Sequence, residues 1–140
     1  MARRNTEKKS EKVDMVAVLA PNIPEMYELH FAVPMAGAVL CTLNVRHDSN
    51  MVSTLLKHSS AKLIFVDYQF MDVVKGAIEV MLKSTATKPE IVEYEALLAM
   101  GSLDFEIRRP NDECEPIALN YTSGTTSSRK AWFIVTAGRI

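Results

Sequence analysis

"VDMVAVLAPNIPEMYELHFAVPMAG", residues 13–37, is the stretch on which the fold turns. Its first eight residues, Val13–Ala20, form a short apolar, β-branched run of the kind buried on both faces of a parallel sheet. Pro21 and Asn22 break that run. Asn22 offers a helix N-cap, and Pro24 a first-turn position where a missing N–H costs nothing. Met26, Leu29, Val33 and Ala36 then recur at helical spacing. Gly37 is placed to close the helix, and Pro34 to kink it or end it early. Strand followed by helix is half of a βαβ unit, and a second strand should come next.

It does, and the pattern repeats. "AVLCTLN", residues 38–44, reads as a second strand. "DSNMVSTLLKHSSA", 48–61, reads as a second helix, capped by Asp48 or Ser49, with Met51, Val52, Leu55 and Leu56 facing inward. "KLIFVD", 62–67, and "FMDVVKGAIEVMLKS", 70–84, supply a third strand and a third helix. The order βαβαβα implies an α/β fold with a doubly wound, mostly parallel sheet. The regularity fades beyond residue 84. One short strand is expected at Ile91 and Val92, then a helix over Tyr94–Met100. The polar stretch Ser102–Pro116 is expected to link the α/β half to a last element. That element reads strand, loop, strand: "PIALNY", "TSGTTSSRK" and "AWFIVT".

At 140 residues the chain suffices for one domain with a real core. A net charge of −1 provides no basic field to recruit nucleic acid or an anionic membrane. No apolar run approaches the roughly 20 residues that span a bilayer. Cys41 and Cys114 lack metal-like spacing, so two free thiols in a reducing, cytoplasmic setting are expected. Residues 1–12 are charged and lack the apolar core of a secretory signal, and are expected to be a disordered tail before a domain spanning 13–140. The closing "GRI" is not a peroxisomal address of the SKL type.

His30, His47 and His58 pair with no Ser, Cys or carboxylate in a recognisable catalytic pattern. His58, behind Leu55 and Leu56 at a helix end, suits an interaction with the helix C-terminus. Asp112, Glu113 and Glu115 read as solvated acids of a polar linker rather than metal ligands.

The last loop carries the chemistry. A phosphate needs close backbone approach, hydroxyl donors and a positive charge. Gly124 supplies the first, Thr122, Ser123, Thr125 and Thr126 the second, and Lys130 the third. The plain alternative is a polar turn between two strands. The loop is not the P-loop of the NTPases, which would require Gly at Arg129 and Ser or Thr at Ala131.

Tyr121-Thr122-Ser123-Gly124-Thr125-Thr126, with Lys130 at its proper distance, closely resembles the [YF]TSG[ST]TGxPKG signature of the adenylate-forming superfamily. Residues 16–48, 55–67 and 94–126 are similar to the plant acyl-activating branch of that superfamily, the carboxylate–CoA ligases. The resemblance implies the N-terminal subdomain of the adenylate-forming fold, ending in a strand–phosphate loop–strand unit. It implies ATP with Mg and CoA as co-substrates: a carboxylate attacks the α-phosphate to give acyl-AMP and pyrophosphate, and CoA then takes the acyl group. Thr122, Ser123, Gly124, Thr125, Thr126 and Lys130 would hold the nucleotide's β- and γ-phosphates. Departures from the signature fall at Ser127, Arg129 and Ala131. The family's adenine, ribose and Mg motifs and its C-terminal lysine do not occur in this sequence. The expectation is therefore a truncated ligase domain unable to complete the reaction. The alternative is a non-catalytic remnant or protein-interaction module. Either way, apolar surface and open strand edges should promote self-association.

Overall fold

In the computed structural model, which describes residues 14–84, 87–122 and 130–135, the first apolar run is strand β1, Met15–Leu19. Val16 and Val18 point to one face of the sheet and Ala17 and Leu19 to the other, and all four are buried. Helix α1, Pro24–Met35, comes next. It begins one residue later than an Asn22 cap would require: Ile23 is the N-cap, extended at φ −107° and ψ 162°, with no side-chain cap. The cause is Pro24, whose ring disfavours helical geometry at the preceding residue. Met26, Leu29 and Val33 are buried, while Ala36 lies outside the helix and is exposed. The helix stops one residue after Pro34. Gly37, at φ +75°, donates to Pro34 O at 2.8 Å, and Ala38 donates to Val33 O at 3.1 Å. This paired closure needs the left-handed residue that glycine provides.

Strand β2, Val39–Thr42, pairs parallel to β1. Helix α2, Ser49–Ser59, is capped by Asp48, whose carboxylate accepts from Met51 N at 2.8 Å. Strand β3, Leu63–Val66, returns to the far side of β1, and helix α3, Met71–Leu82, leads to strand β4, Glu90–Val92, beside β3. Helix α4, Tyr94–Ala99, precedes strand β5, Pro116–Thr122, which pairs parallel to β2. Strand β6, Lys130–Val135, is antiparallel to β5. The sheet order is β4-β3-β1-β2-β5-β6.

Right-handed crossovers explain which helix covers which face. The step from β1 to β2 runs one way along the sheet, and those to β3 and β4 run the other. α1 therefore packs on one face, over Val16, Val18, Leu40 and Phe65. α2 and α3 pack on the opposite face, where Val52, Leu55, Leu56, Val74, Ala77 and Met81 meet Ala17, Leu19, Cys41 and Ile64. The return from β4 to β5 reverses direction again, and its chain lies on the α1 face. Tyr94 packs against the α1 cluster, and Arg108 N donates to Met35 O at 2.9 Å. The polar stretch 102–116 is thus a crossover tied to the end of α1 rather than a free linker, and the last hairpin belongs to the same sheet. Both cysteines are free, Cys41 buried and Cys114 exposed. No helix among the described residues is long and apolar enough to cross a membrane.

Candidate functional site

β1, β2 and β5 end together at one edge of the sheet, and the turns beyond β1 and β2 join the tip of β5 to form a cleft of about 930 Å³. Ala20, Pro21 and Asn22 enter it after β1, Thr42–Val45 after β2, and Asn120–Thr122 from the end of β5. α1 leaves β1 toward one face of the sheet and α2 leaves β2 toward the other, so the chain opens between them. Ligands of open α/β sheets bind at such a point, beyond the carboxyl ends of the strands.

The last three residues of β5 are each tied to a different element. Thr42 Oγ1 donates to Asn120 Oδ1 at 3.1 Å, joining β5 to β2. The Tyr121 hydroxyl lies 2.8 Å from Nδ1 of His58, in the last turn of α2, and the two rings meet edge to face with centroids 5.6 Å apart. Thr122 Oγ1 donates to Lys130 O at 3.3 Å, and the two residues are registered opposite each other across the β5–β6 hairpin. Beneath Tyr121 lies Cys41. Burial pushes the Cys41 thiol up to about 12, against a weaker opposing pull from a Ser59 hydrogen bond. Burial, reinforced by Cys41, likewise pushes the Tyr121 phenol up to about 12. Both stay protonated at neutral pH.

Of the residues singled out in the sequence, Thr122 and Lys130 stand exposed at the mouth of the hairpin. Ser123, Gly124, Thr125 and Thr126 lie outside the described residues, as does the tail 1–12. His58 does stand in the last turn of α2, as expected, and it has a second partner that the sequence did not suggest, the Tyr121 hydroxyl. His30 and His47 line the cleft. His30 donates from Nδ1 to Met26 O at 2.7 Å, one helical turn back. Asn44 also lines the cleft and accepts from Arg46 N at 2.9 Å, shaping the turn after β2. Residue type alone does not mark Asn22, Asn44 and Asn120 as cleft residues. Their position directly after, or at the end of, a parallel strand is the signal that finds them.

Comparison with known proteins places this geometry in context. The model of the family described as AMP-binding enzyme matches residues 6–138. A trans-cinnamate:CoA ligase of Petunia hybrida, a peroxisomal protein, is 40% identical, over 85% of this chain and 26% of its own length. A 2-methylpropanoate–CoA ligase of Humulus lupulus is 44% identical, over 86% of this chain and 25% of its own. The chain thus spans about a quarter of the length of these relatives. Among solved structures, a Mycobacterium tuberculosis fatty acyl CoA synthetase superposes with a TM-score of 0.73 at 24% identity, covering 89% of this chain and 24% of that one. The o-succinylbenzoate CoA synthetase of Bacillus subtilis, bound to its acyl-adenylate intermediate, superposes with a TM-score of 0.72 at 22% identity, covering 89% and 24%.

Proposed function

The chain belongs to the AMP-binding enzyme family, and on that premise we propose that its β5–β6 hairpin grips the phosphates of ATP for the activation of a carboxylic acid. The reaction so served joins a carboxylate to the α-phosphate of ATP, releases pyrophosphate, and passes the acyl group to CoA. The observation that carries this reading is the opposition of Thr122 and Lys130 across the hairpin mouth, at the carboxyl edge of the parallel strands. The Lys130 ammonium suits phosphate oxygens, and the Thr122 hydroxyl, which donates to Lys130 O, fixes the place of the lysine. Phosphoryl chemistry asks the protein mainly for positioning and charge neutralisation. Ser123, Gly124, Thr125 and Thr126 complete the proposed grip between them. Mg²⁺ accompanying ATP would take phosphate oxygens and water as ligands. Among the described residues no group of three or more His, Cys, Asp or Glu side chains is placed to hold it. On this reading the chain's share in the reaction is to hold and orient the nucleotide.

The test is Mg·ATP binding by equilibrium dialysis, then ATP–pyrophosphate exchange over a panel of aromatic and short-chain acids. Lys130→Ala should weaken ATP binding by about tenfold or more, as loss of a charge-assisted contact does. Equal binding by wild type and variant would remove the lysine from the site. Absence of binding in the wild type would overturn the reading for this chain.

A second reading, a non-catalytic association module, has its own observation. All six residues of β6 are exposed, Trp132, Phe133 and Ile134 among them, and β6 is a sheet edge. Such an edge favours pairing with another chain. Sedimentation over a range of concentrations tests it: a monomer at all of them eliminates this reading.

A further inference from the structure

The geometry points to His58 and Thr42 as positioning residues that hold the stem of the phosphate loop, acting through Tyr121 and Asn120 on opposite faces of β5. This inference rests on the nucleotide reading for its purpose, but its structural content stands apart from it. The β2–β5 ladder registers Leu40 with Ala118 and Cys41 with Leu119, and its described register ends there. β5 continues for three more residues to Thr122. Over that extension, side chains add ties to the rest of the fold. On the α1 face, Thr42 Oγ1 donates to Asn120 Oδ1 at 3.1 Å. On the α2 face, His58 Nδ1 lies 2.8 Å from the Tyr121 hydroxyl, with the rings edge to face.

Two ties on successive residues, one on each face, do more than two on the same face. Successive side chains of a strand point to opposite faces. A single tie leaves the strand end free to roll about its own axis, whereas opposed ties fix both its height and its roll. The residue whose direction is thereby set is Thr122, next in line and registered against Lys130. The phenol serves this purpose well. Burial keeps it protonated, and a protonated phenol both donates and accepts, so it can partner either tautomer of His58. The His58 end is equally anchored. α2 closes at Ser60 in the left-handed region, at φ 54°, and its apolar face is buried in the core through Val52, Leu55 and Leu56.

Amide hydrogen exchange on the full chain tests this without requiring that ATP bind. His58→Ala, Tyr121→Phe and Thr42→Val should each speed exchange at residues 120–122 and 130 by about three- to tenfold, the range expected for one lost hydrogen bond. Exchange in β1 and β3 should stay at the wild-type rate. His58→Asn, whose amide reaches the place of Nδ1, should restore most of the protection. Combining His58→Ala with Tyr121→Phe should add little to Tyr121→Phe alone, because that variant already removes the bond to His58 together with the contact to Ser59. If His58→Ala leaves residues 120–122 and 130 unchanged, or speeds exchange evenly through the sheet, the positioning role is overturned. Mg·ATP affinity, measured on the same variants, separates the two proposals. A wild type that fails to bind ATP while the variants loosen the strand end retains the strut and removes the nucleotide. A wild type that binds ATP, with variants altered in neither readout, retains the nucleotide and removes the strut.

Discussion

The middle of this sheet and its β6 edge are built from similar residues and live in different surroundings. β1, β2 and β3 are short apolar strands with helices on both faces, and Ala17, Leu19, Val39, Cys41 and Ile64 are at most 1% exposed. β6 is no less apolar, yet Trp132 is 58% exposed and Phe133 60%. The contrast lies in the connections. Each parallel strand leads into a crossover that must lay chain over a face of the sheet, whereas an antiparallel hairpin adds a strand and covers nothing. The covered end supplies the stability. The uncovered end carries the one loop whose residues suggest chemistry, held to the covered end by side-chain ties at Asn120 and Tyr121.

The largest effects should therefore fall in the covered half. Leu56 is 1% exposed and sits in the cluster that joins α2 and α3 to the sheet. Leu56→Ala should destabilise the chain by about 2–5 kcal/mol, a large fraction of a small domain's stability. Urea denaturation measures it, and a loss under about 1 kcal/mol would mean that this face is looser than its burial indicates. Next comes the link between the halves, where the crossing chain passes under α1. A Cβ at Gly37 would lie 2.8 Å from Cδ of Arg108, and the backbone there holds φ +75°. Gly37→Ala should cost about 1–2 kcal/mol from the left-handed backbone alone. Arg108, whose side chain is flexible, must also move aside. If Gly37→Ala is neutral, the crossing segment is not seated where Arg108 N meets Met35 O.

The covered half is readable in the sequence because its signals are local. Short apolar runs place β1 to β3, helical spacing places α1 to α3, and of the two caps offered for α2, Asp48 or Ser49, the structure uses Asp48. Asn22 misleads because a local capping preference is outvoted by the proline two residues on. The crossover of 102–116 reads as a linker because its attachment is a backbone bond, Arg108 N to Met35 O, which leaves no trace in residue type. The ties of the hairpin stem are out of reach for another reason. Thr42 and Asn120 are 78 residues apart, His58 and Tyr121 63, and no spacing rule spans such a distance. The proposed phosphate loop is suggested weakly by its glycine, hydroxyls and lysine and strongly by its resemblance to a family signature, since hydroxyls in a turn do not by themselves call for an anion.

Alkaline titration sharpens the comparison from the covered side. The Cys41 thiol is raised from an ordinary 9.0, and the Tyr121 phenol from 10.0, each to about 12, with burial as the leading cause. Well below pH 9 both states of the chain keep these protons and stability is unaffected. As the pH rises from 9 toward 12 the unfolded chain releases them and the folded chain does not, so stability must fall. Tyr94 is raised to about 12 chiefly by its bond to Glu28, but that bond lies in solvent, which screens it, so its share of the slope is small. Cys41→Ala and Tyr121→Phe should each flatten the decline measured by urea denaturation between about pH 9 and 11. An unchanged slope in both would place these groups in water.

The smallest effect on stability belongs to β6, and there the comparison can be broken outright. Trp132 and Phe133 point to opposite faces of the strand, and both are exposed. Neither should contribute much to the fold, so Trp132→Ser and Phe133→Ser should each change stability by no more than about 0.5 kcal/mol, the range of ordinary surface positions. Association is another matter. If the open edge and its aromatic faces draw chains together, the same substitutions should lower the sedimentation coefficient at high concentration while leaving the urea midpoint, measured at low concentration, in place. A loss of stability comparable to that of Leu56→Ala would refute the division into covered and uncovered ends, because β6 would then be a buried strand with a cover of its own. Unchanged stability with unchanged association would leave β6 a solvated edge, and its role would reduce to carrying Lys130 opposite Thr122.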